Sequence, residues 1–145
     1  MTPLLSNCVG DRDCGVDCVH IDDSGALLLA SLTVMYNGRT KTIDRMAIDT
    51  GAEHTIIAAD VVDDIGIAYI SGDAINRSQG IGGLDYAFEK TVQHAEFCGF
   101  RLTHMTLDFG QIDWDINGLI GLDILVAGGF IIDLDSMEIG QKLSQ

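Results

Sequence analysis

The chain has 145 residues, 47% of them hydrophobic, which is enough to build one core and excludes wholesale disorder. Eight Lys and Arg stand against 22 Asp and Glu, and the net charge of −14 argues against nucleic acid or a membrane surface as partner. No apolar run approaches the roughly 20 residues of a membrane helix, and the first residues lack the basic head and apolar block of a signal peptide, so a cytoplasmic domain is expected.

Residues 1–24 are rich in Asp, Cys and Gly without a sustained period and read as an irregular N-terminal extension; residues 25–145 read as one domain. Cys8, Cys14, Cys18 and His20 are zinc-ligand residue types, but the spacing matches none of the usual knuckles. A leader with incidental thiols is the simpler reading, and no metal or cofactor is expected.

Ala26 to Tyr36 is apolar and β-branched, and Asn37-Gly38 after it is a strong hairpin signal because both residues tolerate positive φ. Arg39 to Ile48 reads as the returning strand and runs directly into Asp49-Thr50-Gly51-Ala52. A short strand at Thr55-Ile56-Ile57 follows. Ala58 to Ile65 then places Val61, Val62 and Ile65 on one face of a two-turn helix ended by Gly66. Ile75 to Phe88 carries Gly80-Ile81-Gly82-Gly83 between two arms and predicts a second hairpin. Thr91 to Phe97 and Phe100 to Phe109 predict strands joined at Cys98-Gly99. Gly118-Leu119-Ile120-Gly121 predicts a short apolar strand, Asp123 to Ala127 a short helix stopped by Gly128-Gly129, and Phe130 to Leu134 a last strand paired with Met137 to Ile139. Many short strands with glycine turns and little helix indicate an all-β closed barrel or sandwich.

Asp49 ends a hydrophobic strand, where a carboxylate is costly unless it is hydrogen-bonded or shares its charge. Thr50 offers a hydroxyl and Gly51 lets the backbone turn close to the acid. Three residues alone are a weak signal. Their weight comes from Gly80 to Gly83 and from Gly118 to Leu125 downstream.

On these motifs, in this order, the sequence resembles the retropepsin-like aspartic proteases, single-domain relatives of pepsin. Ile48-Asp49-Thr50-Gly51-Ala52 matches the active-site motif. Gly80-Ile81-Gly82-Gly83 is similar to the tip of the flap hairpin, and Gly118-Leu119-Ile120-Gly121-Leu122-Asp123-Ile124-Leu125 to the hydrophobic-hydrophobic-Gly element and the helix after it. The resemblance spans about residues 26–135.

It implies a retropepsin-like fold with a flap hairpin and one or two short helices, and an aspartic endopeptidase acting on peptide or protein substrates. With one Asp-Thr-Gly per chain, the second carboxylate must come from a second chain, so a homodimer with Asp49 of each subunit at its axis is implied. Thr50 would then bond across the axis, Gly51 and Ala52 complete the active-site loop, and Gly80, Ile81, Gly82, Gly83 and Leu84 close over substrate. Leu119, Ile120 and Gly121 would pack behind the loop, with Ile81, Leu84 and Ile120 as further pocket-wall candidates. One departure is present. Retroviral members carry an Arg after the third motif's Gly that pairs with the acid after Asp-Thr-Gly-Ala. Here those positions are Leu122 and Glu53, so that pair cannot form.

The alternative is a dimerising or peptide-binding module of the same fold without efficient turnover. No G-x-S-x-G context supports a nucleophilic serine. His20, His54, His94 and His104 show no metal spacing.

Overall fold

The computed structural model describes residues 19–22, 27–80 and 83–141. Among the described residues, ten strands run in chain order: β1 (Val19–His20), β2 (Leu29–Tyr36), β3 (Arg39–Ile48), β4 (Ile56–Ala58), β5 (Ile75–Gly80), β6 (Gly83–Phe97), β7 (Phe100–Gly110), β8 (Gly118–Ile120), β9 (Phe130–Asp133) and β10 (Glu138–Gln141). One helix, α1 (Leu122–Gly128), separates β8 from β9. The larger sheet runs β2-β3-β8-β4-β7-β6-β5. β2 also pairs β6, through Thr33 with Glu96 and Met35 with His94, closing six strands into a barrel that leaves β5 outside the ring.

The hairpins form where the turn residues predict. Asn37 (φ 49°) and Gly38 (φ 76°) join β2 to β3, and Cys98 (φ 50°) and Gly99 (φ 77°) join β6 to β7. Ala30, Leu32 and Val34 alternate into the core from β2, with Ser31 exposed. In β3 the inward positions are Ile43 and Met46, an interval of three. A register shift opposite Ala30 and Leu32 absorbs the extra residue, and Arg45 takes positive φ (55°) there. Asn117 clamps this bulge: its side-chain amide donates to the Asp44 carbonyl (2.9 Å) and its backbone N–H to the Arg45 carbonyl (2.9 Å).

Two expectations change. The segment expected as a two-turn helix forms two 3₁₀ turns, Ala59–Val61 and Asp63–Ile65, before Gly66 at φ 90°. The 3₁₀ period superimposes positions three apart, and Val62 and Ile65 are both buried. A true α-helix would have put Asp60, Asp63 and Asp64 and two adjacent valines in its interior, all weak helix formers.

The end of the segment read as an irregular extension is also ordered. Val19 and His20 pair with Ile139 and Glu138, giving a second sheet of order β1-β10-β9. Ile21 beside them is fully buried in the main core and donates its N–H to the Met137 carbonyl (2.8 Å). Cys8, Cys14 and Cys18 lie outside the described residues. Among the described residues, no helix is long and apolar enough to cross a membrane.

Candidate active site

β3 delivers Asp49 onto a loop that three elements hold. The parallel register of β3 on β8 sets Ile48 beside Ile120, and the Asp49 N–H continues it by donating to the Ile120 carbonyl (3.0 Å). Asp49 Oδ1 accepts the Gly51 N–H (2.9 Å), and the Asp49 carbonyl accepts the Ala52 N–H (3.2 Å). The start of α1 then grips the far side of the loop: the Leu122 N–H donates to the Ala52 carbonyl (2.8 Å) and the Asp123 N–H to the Glu53 carbonyl (3.2 Å). Asp49 is half-buried, whereas Thr50 and Gly51 are exposed.

Beneath the loop lies a polar clasp. Thr55, fully buried, donates its N–H to Asp123 Oδ2 (2.9 Å) and its hydroxyl to Asp123 Oδ1 (2.6 Å). The same hydroxyl accepts the Gly121 N–H (3.0 Å). Glycine is required at 121 by space, not by φ. A Cβ there would come within 2.7 Å of the His54 carbonyl group and 2.9 Å of the Ala52 oxygen. Thr55 and Asp123 were not expected as site residues. Asp123 lies within the third motif, but the clasp depends on strand pairing between segments 68 residues apart in sequence.

The loop opens into a cleft of about 640 Å³ lined by Asp49, Gly51, Ala52, Glu53, His54, Ile56, Asn76, Arg77, Glu89, Asp108 and Leu119. Strand alternation decides which member of the third motif faces it. Leu119 lines the cleft, while Ile120 is fully buried in the core, so the expectation that Ile120 walls a pocket passes to its neighbour. Gly80 and Gly83 face each other at the end of the β5–β6 hairpin, with Leu84 opposite Gln79. Ile81 and Gly82 lie outside the described residues. Glu53 is exposed, with His54 Nε2 3.8 Å from its Oε1, and Leu122, where the viral Arg would stand, is partly exposed.

Three ionisable side chains sit at the base of the hairpin. Lys90 Nζ lies 2.7 Å from Asp73 Oδ2, with both side chains largely buried. That hydrogen bond, with one from the Ile70 N–H, holds the Asp73 carboxyl below its usual range. Asp108 is shifted the other way. Burial pushes its carboxyl up, and a hydrogen bond from Asn76 Nδ2 to Oδ1 (3.2 Å) offsets only part of that.

The family model for aspartyl proteases matches residues 32–124, from β2 into α1. The chain belongs to the aspartyl protease family. A retropepsin-like aspartic protease from Rickettsia conorii has a similar fold, with TM-score 0.62 and 19% identity over 90% of this chain and 94% of that one. Among curated proteins, none matches the sequence. The aspartyl protease thus has a retropepsin-like barrel, and family membership makes it a hydrolase of the protease class.

Proposed function

We propose that this aspartyl protease is an endopeptidase that works as a two-fold homodimer, with one Asp49 from each chain forming the catalytic pair. The observation that carries the reading is the position of Asp49 in an open cleft, on a loop braced from β8 and α1. Thr50 and Gly51 stand exposed beside it, where a second copy of the loop can meet them.

Two carboxylates within hydrogen-bonding distance cannot both ionise, so the pair holds one proton. The ionised member takes a proton from water as the oxygen attacks the scissile carbonyl, and the protonated member donates to the carbonyl oxygen. The tetrahedral intermediate collapses as a proton passes to the departing amine. Substrate lies extended, adding its backbone to the cleft like a further strand. The hairpin ending at Gly80 and Gly83, with Ile81, Gly82 and Leu84, closes over it and excludes water. Thr50 ties the two loops across the axis, and Leu119, Ile120 and Gly121 hold each loop from behind.

The test is cleavage of a mixed peptide library by wild type and Asp49→Asn, read by mass spectrometry from acidic to neutral pH. Cuts made only by wild type establish the activity and its preferences together. Identical digests across that range would replace the endopeptidase reading with that of a peptide-binding module.

A further inference from the structure

Four consecutive strands place one residue each in a single row across the cleft wall. Ile56 on β4 is in register with Leu119 on β8 and with Asp108 on β7, and Asp108 faces Glu89 on β6. Partners in register project to the same face, and all four line the cleft. With strands about 4.8 Å apart, the row runs from two aliphatic side chains to two carboxylates over about 15 Å.

The acidic end is built against its own repulsion. Like charges directly opposite across a strand pair are destabilising. Asp108 is 8% exposed, and its Oδ2 accepts no hydrogen bond among the described residues. Neither acid joins any ion pair among those residues. Asn76 answers only Oδ1, and the cations of the cleft are Arg77, exposed on β5, and His54 when protonated. A side chain that brings an aliphatic stem and a cationic head fits the middle of this row, where apolar gives way to acidic: the stem over Ile56, the head between Asp108 and Glu89.

We infer that Asp108 and Glu89 form a subsite that selects a lysine or arginine side chain near the scissile bond of the substrate. The inference rests on the endopeptidase reading for its meaning in catalysis, but the subsite itself needs only peptide binding. On binding, the cation supplies the ion pair that Asp108 does not make among the described residues, and the neutral isostere norleucine leaves the two carboxylates facing each other.

The experiment moves a single lysine, or norleucine in its place, through each position around the cut site of an otherwise constant fluorogenic peptide. At one position, wild type should prefer lysine by about tenfold or more in kcat/KM, as a charge-assisted hydrogen bond in a cleft allows. That preference should shrink severalfold in Asp108→Asn and in Glu89→Gln. Using both variants and the unmodified protein keeps the test decisive should one variant fold poorly. Wild type showing no lysine preference at any position overturns the inference, as does a preference that both variants retain in full. If wild type cuts no peptide, the endopeptidase reading fails separately. The same peptides are then compared by fluorescence anisotropy: tighter binding of the lysine form supports the subsite, and equal binding overturns it.

Discussion

Thr55 on the approach to β4 holds Asp123 at the start of α1 with two hydrogen bonds, from its N–H to Oδ2 (2.9 Å) and from its hydroxyl to Oδ1 (2.6 Å). Because the hydroxyl also accepts the Gly121 N–H, one buried side chain fixes the strand, the glycine and the helix that together brace the Asp49 loop. Bonds within the loop are short-range, and its long-range bonds run to β8 and to the start of α1, the elements that this clasp holds together.

Thr55→Val keeps the shape but strands a buried N–H and removes a donor from a carboxylate. The expected loss is about 2 kcal/mol of stability, a fall in Tm on the order of 6 °C for a chain of this size, measured by thermal melts. Thr55→Ser, which restores the hydroxyl, should recover most of it. A loss in Thr55→Ser larger than that in Thr55→Val would show that the methyl group matters, not the clasp.

Gly121→Ala puts a methyl group against the His54 and Ala52 backbone, which cannot swing aside as a flexible side chain would. The loop must shift by several tenths of an ångström, and misplacement on that scale is costly to a positioned acid. The variant should lose about 10²-fold or more in kcat/KM, even at temperatures where circular dichroism shows it folded. Unimpaired turnover would mean that the loop tolerates displacement.

If each active site needs an Asp49 from both chains, specific activity must fall on dilution below the dimer dissociation constant. Sedimentation velocity over the same concentrations should place the midpoint of dissociation at the midpoint of activity. Mixing wild type with excess Asp49→Asn should also suppress activity as mixed pairs form. Activity proportional to enzyme at every concentration, with only monomer in the cell, would exclude the shared site.

The Lys90–Asp73 pair makes a pH prediction whose sign follows from the shift. Asp73 has a lowered folded-state value, so its pairing adds stability above the ordinary carboxylate value of about 3.9 and loses it as pH falls through the folded value. Lys90→Met should therefore lower Tm most near pH 7, with the deficit narrowing below about pH 4. A deficit constant from pH 7 to pH 3 would assign the loss to packing of the lysine stem.

Much of this architecture was legible because its signals are local. Asn37-Gly38, Cys98-Gly99 and Gly128-Gly129 mark turns through backbone freedom that neighbouring residues cannot override. The Asp-Thr-Gly loop and the downstream glycines point to the family by order alone. What escaped depends on partners distant in sequence. The β3 bulge appears only once Asn117 is known to sit against Asp44 and Arg45. The 3₁₀ turns at 59–65 follow from the burial of Val62 and Ile65, which a helical wheel also satisfies, so pattern alone could not separate the two. Nothing near Asp108 in sequence points to a cleft. Its significance comes from parallel pairing with Ile56, 52 positions earlier.

β6 serves two structures at once. From Phe97 back to Ala87 it is a stave of the closed ring, and from Phe88 to Gly83 it is one arm of the hairpin. Four residue pairs, Arg77 with Tyr86 through Gly80 with Gly83, therefore overhang the ring like a cantilever clamped at Ala87. Gly110 sits at the clamp as its fulcrum, close enough to Tyr86 that a Cβ would lie 2.9 Å from that carbonyl oxygen. Bending is thereby confined to the overhang, and amide exchange along β6 should change abruptly between Ala87 and Tyr86. If the overhang closes over substrate as proposed, the barrel holds the cleft floor still beneath it.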